Sequence, residues 1–235
     1  MSVLDPKGPF FAAPLNRLFG MYPAVVTSVK DPDNQGRVEV KLPWVDADDG
    51  GTAKAWARLS TLMAGGTRGT WFIPEVDDEV LVAFVAGDPR WPVVMGALWN
   101  GQDSPPESMD GGGENNIRSI TSRSGHKLTF DDTSGSEVVT LKTQGGHVLT
   151  LDDGNHKIQL THSGGAQIEI ESSGTIKITA LNEVKIDAPS GMTVTAAQVT
   201  VNAAMSTFSG VVKAETVITN AVVSSTYTPG AGNVW

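Results

Sequence analysis

The 235-residue chain contains no cysteine, so disulfide bridges and thiolate chemistry are excluded. No stretch reaches the roughly 18–20 consecutive apolar residues that a membrane-spanning helix needs. Neither half has a basic excess: residues 1–105 carry 13 acidic and 9 basic side chains, and the remainder carries 13 and 8. Because binding to phosphates needs clustered Lys and Arg, this balance argues against nucleic acid as the main partner.

The first twenty residues also lack an apolar run of signal-peptide length, and they carry Asp5, Lys7 and three prolines. We therefore expect a protein that is made in the cytoplasm without a signal peptide. The apolar side chains of this arm are expected to pack on the following domain or on a neighbouring protein: Phe10, Phe11, Leu15, Leu18 and Phe19.

What the next 80 residues contain is a series of short strands. The segments "YPAVVTSVK" and "GRVEVKLPW" alternate apolar and polar residues around the turn-rich "DPDNQG", which predicts a hairpin. Three further β-like segments follow, and none shows helical periodicity. A small antiparallel barrel closes such strands without leaving free edges, and we predict a barrel of the oligonucleotide/oligosaccharide-binding (OB) type.

A Pro/Gly/Ser-rich stretch, "QDSPPESMDGGGE", separates this barrel from the second half of the chain. Beyond it there is no tryptophan until the last residue, and β-branched residues dominate. The predicted organisation is as follows: an N-terminal arm at 1–20, an OB domain at 21–101, a linker at 102–116, a triple-stranded β-helix at 117–223 and a tip segment at 224–235.

The second half repeats one apolar–x–apolar pair many times. From Ile168 the pairs recur every eight residues, and before it they are spaced 11, 10 and 9 residues apart. "SGHKLTFDD" and "GGHVLTLDD" also match at an offset of 21 residues. Short strands with two inward side chains, each followed by a turn, are typical of a β-solenoid or β-helix.

Eight residues cannot enclose a core alone, since a monomeric coil of a β-helix takes roughly 20 residues. Three copies supply about 24 residues a layer, so we predict an obligate, intertwined homotrimer. The predicted trimer core of the β-helix comprises Leu149, Leu151, Ile158, Leu160, Ile168, Ile170, Ile176, Ile178, Val184, Ile186, Met192, Val194, Val199 and Val201.

The barrel sequence resembles a known family at "DPDNQGRVEVKLPW", "WARLSTLMAG" and "GTWFIPEVDDEVLVAFVAGDPRWPVVMGALWNG". These stretches are similar to the OB domain of the contractile-injection spike family, which includes phage baseplate assembly protein V and the VgrG spikes of type VI secretion. The residues that carry the resemblance are Asp31, Pro32, Gly36, Arg37, Pro43, Trp44, Trp56, Pro74, Glu75, Glu79, Gly87, Asp88, Pro89, Pro92 and Gly96.

The resemblance implies an all-β trimeric spike on the axis of a tail tube, with the OB barrels as its collar and the β-helix as its needle. It implies as partners the tail-tube hub, the baseplate proteins and the target-cell envelope. Some relatives carry a lysozyme domain, for which the linker leaves no room, and others bind iron through a terminal His-x-His, which is absent. The nearly uncharged end favours a separate PAAR-type tip protein, with Tyr227, Pro229 and Trp235 as candidate docking residues.

No residue is predicted to be catalytic, to bind a cofactor or to hold a metal. His126 and His147 recur in matching repeats and could ring a threefold axis, but they fit turn positions better. The paired aspartates that follow two strands, Asp131/Asp132 and Asp152/Asp153, fit Asx turns better than a cation site. A cluster of three carboxylates, Asp77, Asp78 and Glu79, fits the turn before a strand better than a catalytic site.

Three functions remain open on this sequence. The first is a structural, non-enzymatic spike that nucleates a baseplate, pierces a cell envelope and belongs to a phage tail or injection particle. The second is an OB-type module that binds nucleic acid or glycan on a β-solenoid stalk. The third is a spike that degrades the cell wall, although the sequence offers no acid/base pair for it.

Overall fold

The computed structural model describes residues 17–46 and 52–226. Five strands of the first half form a closed barrel, and two very short strands form a separate hairpin. The strand bounds are β1 Met21–Ser28, β2 Val38–Asp46, β3 Thr52–Leu59, β4 Ala64–Gly65, β5 Arg68–Gly69, β6 Glu79–Phe84 and β7 Pro92–Ala97.

The barrel closes in the order β1-β2-β3-β7-β6, with β6 returning to pair with β1. All pairings are antiparallel except that of β3 with β7, where Arg58 lies opposite Val93 and Leu59 opposite Val94. Each strand places alternate side chains inside because the side-chain period of a strand is two residues. In β6, for example, Val80, Val82 and Phe84 are buried while the residues between them are only partly covered.

The core of the barrel is made mostly of small β-branched side chains. Its buried apolar residues are Ala24, Val26, Val38, Val40, Leu42, Ala57, Val80, Val82, Phe84 and Val94. A short 3-10 turn, Val85–Gly87, follows β6, and it includes Ala86 and Gly87 with left-handed φ of 53° and 76°. The end of the N-terminal arm lies against this turn, since the Leu18 N–H donates to the Gly87 carbonyl at 2.8 Å.

The second half folds into seven short strands, all connected in sequence order. Their bounds are β8 Ile117–Thr121, β9 Lys127–Asp131, β10 Val138–Lys142, β11 Val148–Asp152, β12 Lys157–Thr161, β13 Gln167–Ile170 and β14 Ile176–Thr179. Each strand pairs antiparallel with its sequence neighbours, so the sheet is a meander from β8 to β14.

The chain divides into two compact units, the first ending at Glu183 and the second beginning at Val184. The described part of the second unit, 184–226, contains no strand of its own. Its large apolar side chains are exposed, with Val194 at 60% and Val201 at 70%.

The prediction of an all-β chain with an N-terminal OB barrel is confirmed. The seven strands β8–β14 lie in the region predicted as repeating short strands, but their antiparallel pairing within one chain was not predicted. The reason is that repeat spacing reports how often a strand recurs and not which edge its backbone pairs with. The domain bounds themselves stay predictions, and the tip residues Tyr227, Pro229 and Trp235, like Phe10, Phe11 and Leu15, lie outside the described residues.

Candidate assembly interface

The apolar pairs of the meander fall into two continuous rows on one face of the sheet, which we call the apolar face. Pairing places Leu128, Leu141, Leu149, Leu160, Ile168 and Ile178 in one row. The same register places Phe130, Val139, Leu151, Ile158, Ile170 and Ile176 in the other. The varying repeat length of the sequence is therefore absorbed in the turns, and the rows stay straight.

The opposite face of the sheet is polar. Thr129, Thr140, Thr150, Gln159, Glu169 and Lys177 follow one another across its middle. On the same face, Lys157 pairs with Glu169 at 2.9 Å. Gln159 also donates from Nε2 to Oε1 of Gln167 at 3.0 Å.

Burial on the two faces is inverted relative to an ordinary sheet. In β13 the polar residues Gln167 and Glu169 are partly covered, while Ile168 and Ile170 are exposed at 44% and 37%. The same inversion holds in β11 and β12. An open apolar face of this extent on one chain marks an interaction surface, because water-exposed apolar patches are small on monomers.

The predicted core residues up to Ile178 are therefore brought together in this chain on one surface. Those from Val184 to Val201 lie in the second unit and are exposed there. Sequence reasoning missed Ile120, which continues the first row opposite Leu128. It was missed because the partner position in its own strand is Arg118 rather than an apolar residue, so the pair motif is incomplete.

Three turns on one side of the sheet share a conformation and a glycine. In the turns 122–126, 143–147 and 162–166 the fourth residue is Gly125, Gly146 or Gly165, with φ between 86° and 99°. In each, the glycine N–H donates to the carbonyl three residues earlier, as with Gly146 and Thr143 at 3.0 Å. Left-handed φ favours glycine there, so the turns are set by local sequence.

The histidines of these turns accept hydrogen bonds from the backbone. Nδ1 of His126 accepts the Gln144 N–H at 3.2 Å, and Nδ1 of His147 accepts the Ser163 N–H at 3.2 Å. Each imidazole thus ties its turn to the next turn on the same side of the sheet. His162 lies against His147, with 4.6 Å between the ring centroids and an angle of 42° between the ring planes. Among the described residues, no group of three or more His, Cys, Asp or Glu is arranged to hold a metal ion.

The paired aspartates act as turn residues. Asp131 accepts hydrogen bonds from the N–H and hydroxyl of Thr133, which hold the pKa of its carboxyl below the usual value. Asp152 accepts from the side chain and N–H of Asn155, with the same effect on its pKa. These are the Asx turns that the sequence predicted.

In the barrel, the family residues Asp31 and Arg37 form one partly buried network. Asp31 accepts from Nη2 of Arg37 at 2.6 Å and from the N–H groups of Asp33, Gln35 and Arg37. The Arg37 guanidinium and these N–H groups hold the pKa of the Asp31 carboxyl well below its usual range. With its side chain only 4% exposed, Asp31 fixes the β1–β2 turn.

Other family residues also have structural roles. Asp88 pairs with Arg90 through both carboxylate oxygens, which lowers the pKa of Asp88. Trp44 donates from Nε1 to the Pro23 carbonyl at 2.9 Å and stacks on Tyr22. A Cβ on Gly36 would lie 3.3 Å from the ring of Trp71, so glycine lets that ring lie on the turn.

Of the three clustered carboxylates, Asp77 and Glu79 line one surface groove and Asp78 does not. Asp78 accepts the N–H of Glu75 at 2.8 Å, and Glu79 accepts from Nδ2 of Asn100 at 3.0 Å. Asp77 has a left-handed φ of 77° and donates its N–H to the Val26 carbonyl. The arrangement is that of a turn entering β6, as the sequence predicted.

A surface groove of about 1120 Å³ lies beside the β4–β5 hairpin. It brings two arginines, Arg58 and Arg68, together with the exposed aromatic rings of Trp71 and Phe72. Sequence reasoning did not identify this groove. The four residues are spread over 15 positions, and only the fold of the loop collects them.

The described residues include no helix long and apolar enough to cross a bilayer. The fold defines a class of all-β protein in which an OB barrel is followed by a region that self-assembles. Comparison with known families supports these two parts. Residues 22–99 match the type VI secretion system/phage-baseplate injector OB domain. Residues 138–207 match the phage baseplate V C-terminal trimerisation domain.

Similar curated proteins are spikes of type VI secretion. The chain is 32% identical over 114 residues to the type VI secretion system spike protein VgrG3 of Vibrio cholerae, covering 46% of this chain and 11% of that protein. It is 29% identical over 140 residues to the spike protein VgrG1b of Pseudomonas aeruginosa, covering 55% and 19%. It is also 29% identical over 116 residues to the actin cross-linking toxin VgrG1 of V. cholerae, covering 46% and 10%. The chain thus spans a tenth to a fifth of these relatives.

The chain belongs to the contractile-injection spike family, in which it carries both the injector OB domain and the baseplate V trimerisation domain. The apolar face of β10–β14 lies within the matched trimerisation domain, which begins at Val138.

Proposed function

We propose that the protein is a homotrimeric structural spike at the tip of a contractile tail or injection particle. In this role it nucleates the baseplate, and its needle pierces the target-cell envelope when the sheath contracts. The observation that carries the proposal is the unpartnered apolar face, whose strands β10–β14 lie within the trimerisation domain of a spike family. Three such faces turned towards one axis supply the core that a single chain lacks.

The mechanical role follows from shared burial. Apolar side chains of three chains packed in one core cannot leave it one chain at a time, so an intertwined prism resists axial load kinetically. In the barrel, the Asp31–Arg37 network and the arm contact at Gly87 fix the turns that such a collar needs. We propose no catalytic step, since Asp31, Asp78 and Asp88 accept hydrogen bonds within turns and Glu39 pairs with Lys54 across the sheet.

The proposed partners are the tail-tube hub, the baseplate proteins and a PAAR-type tip protein. The exposed aromatic and apolar side chains of the β3–β6 segment, among them Leu62, Trp71 and Phe72, form a surface on the collar that suits a hub contact. The tip residues Tyr227, Pro229 and Trp235 remain the proposed docking segment for the tip protein. We propose assembly in the cytoplasm into a phage tail or injection particle.

Two measurements test the proposal. The purified chain is expected to have three times its 24.7 kDa mass in light scattering and to keep that mass in mild denaturant. Particles from a producing strain that lacks the gene are expected to have no assembled baseplates in electron micrographs, and the gene supplied in trans is expected to restore them. A monomeric chain, or normal particles without the gene, would contradict the proposal.

The groove with Arg58, Arg68, Trp71 and Phe72 favours a second candidate, an OB-type module that binds single-stranded nucleic acid by stacking and charge. Its test is the binding of a fluorescent oligonucleotide by the whole chain at low and high salt. Affinity that falls steeply with salt, and is lost in Arg68→Ala, would support this candidate over a purely structural collar.

A further inference from the structure

The two sides of the β8–β14 sheet, where its turns lie, carry opposite charge. One side, which we call the basic edge, is formed by the turns 122–126, 143–147 and 162–166 with the strand residues next to them. The other, the acidic edge, is formed by the turns 132–137, 153–156 and 171–175 with their neighbours. The meander alternates between them, so every second turn lies on the same edge.

The charges separate almost completely between these edges. The basic edge carries Arg123, Lys127 and Lys142 and no carboxylate between 121–127, 142–148 and 161–167. The acidic edge carries six carboxylates: Asp131, Asp132, Glu137, Asp152, Asp153 and Glu171. Its only cations are Lys157 and Arg118, and each already pairs within the chain.

Part of each edge is neutralised by this chain, which leaves a few charges unmatched. Arg123 pairs with Glu75 and Lys127 with Glu107, whereas Lys142 forms no ion pair within the described part of the chain. On the acidic edge Arg118 holds Asp132. Asp153 is exposed, and its side chain makes no hydrogen bond to any residue that the structure describes. Lys142 on the basic edge, and Asp153 and Glu171 on the acidic edge, therefore have no charged partner within the described residues, and Asp153 is the more exposed of the two carboxylates.

The apolar face decides where a neighbour can lie. When three sheets turn their apolar faces towards one axis, their lateral edges meet at the corners of the prism. In a ring built by rotation, each corner joins one edge of a chain to the opposite edge of the next chain. The corner contact is then between unlike edges, and in this protein unlike edges have opposite charge.

We propose that the basic edge of one chain pairs with the acidic edge of the next, with Lys142 and Asp153 as the principal groups at each corner. The inference rests on the proposed trimer and adds to it the partner surface and the direction of the ring. If two acidic edges paired instead, the six carboxylates of one chain would lie against the six of its neighbour and would repel one another strongly at low salt. The charge pattern thus favours a closed cyclic ring over association by like edges.

Charge reversal in the whole chain tests the corner contact. Lys142→Glu and Asp153→Lys are each expected to raise the dissociation constant of the trimer at least tenfold at low salt, measured by analytical ultracentrifugation. The double variant, which exchanges the two charges, is expected to recover most of that loss. The effects should shrink in 1 M NaCl, because surface charges are screened over about 3 Å there.

The matched control is Lys30→Glu, which makes the same charge change in the hairpin of the barrel, and it is expected to leave the dissociation constant unchanged. Circular dichroism of each variant confirms folding. If the wild type is a trimer and neither single variant changes its dissociation constant, the corner contact alone is overturned. The same conclusion follows if the double variant dissociates as readily as the single variants. A monomeric wild type would instead overturn the proposed trimer on which the contact depends.

Discussion

The barrel and the meander are both built from short strands with alternating apolar residues, but they bury these residues differently. In the barrel, ten apolar side chains are buried within one chain, and Val80 and Val82 are fully covered. In the meander no described residue is buried, and in β11, β12 and β13 the apolar pairs are more exposed than the polar residues beside them. The cause is closure: β6 returns to β1 and encloses a core, whereas β8 and β14 remain two separate edges.

An apolar repeat specifies an apolar surface, and the strand topology determines whether that surface is buried within one chain or between chains. A closed barrel buries its apolar side chains within the same chain. An open amphipathic sheet needs another molecule to bury its apolar face, and the simplest such molecule is a second copy of the same chain. Stability of the meander should therefore depend on protein concentration, while that of the barrel should not.

The largest expected effect comes from placing a charge on the apolar face. Ile168→Glu puts a carboxylate in the row between Leu160 and Ile178, at three equivalent positions of a trimer. A buried unpaired carboxylate costs several kcal/mol, so we expect the trimer to dissociate into monomers in light scattering while barrel fluorescence is retained.

The control is the adjacent change Gln167→Glu, on the polar face. The new carboxylate can still accept a hydrogen bond from Nε2 of Gln159, which lies 3.0 Å from Oε1 of Gln167 in the wild type. This variant is expected to assemble as the wild type does. If Ile168→Glu assembled equally well, the apolar face would not be the trimer interface.

The next largest effect is expected in the barrel core. Val82→Ala removes two methyl groups from a fully buried site and should lower the free energy of unfolding by about 2 kcal/mol. Denaturation followed by tryptophan fluorescence reports on the barrel, because five of the six tryptophans lie between Trp44 and Trp99.

The same deletion at a surface position, Val29→Ala, should change the free energy of unfolding by less than about 0.5 kcal/mol, since Val29 is 41% exposed. Both variants should keep the oligomeric mass of the wild type. A mass change in Val82→Ala would show that barrel and trimer are coupled, which contradicts the contrast drawn between them.

The sequence was sufficient for the barrel because its signals are local. Alternation in β1, β2 and β6 and the turn "DPDNQG" predict strands and a hairpin, and the hydrogen bonds of Asp31 show why that turn forms. The family motif was likewise readable, since its residues pair over short distances, as Asp88 does with Arg90.

What the sequence did not predict depends on long-range arrangement. Repeats of 8 to 11 residues are compatible with a solenoid or a meander, because the choice rests on backbone pairing rather than on side chains. The groove at Arg58 and Arg68 needs the β4–β5 hairpin to bring the two residues together. The two charged edges also appear only once the turns alternate between the two sides of the sheet.

A third prediction concerns pH and the barrel alone. The pKa of Asp31 is lowered in the folded protein by Arg37, so its ionised form stabilises the fold above the unfolded pKa of about 4. That contribution is lost progressively as the pH falls below about 4 towards the lower folded pKa. Asp31→Asn should therefore be less stable than the wild type at pH 7, and the difference should shrink in acid.

Thermal unfolding monitored by fluorescence from pH 7 to pH 2.5 checks this. Asp33→Asn is the comparison variant, since the Asp33 carboxylate contacts only Nη2 of Arg37 among the described residues and its side chain is 58% exposed. Its effect should be smaller and less dependent on pH. A constant difference between Asp31→Asn and wild type across this range would contradict the role given to the carboxylate.

The smallest expected effect lies in a turn of the meander. Gly146 has φ 86°, and a Cβ there would lie 3.4 Å from Cβ of Ser163 in the next turn on the same edge. Gly146→Ala should therefore cost about 1 kcal/mol per chain, mainly from backbone strain. Because the meander is stabilised only on assembly, that cost should appear as faster amide exchange in the turns 143–147 and 162–166 and as weaker trimerisation, with the fluorescence of the barrel unchanged.

Gly111→Ala in the linker, where no atom lies within 4 Å, should have no such effect. If both variants behaved alike, the shared glycine turns would not fix the alignment of the rows, and the apolar face would be held by pairing alone.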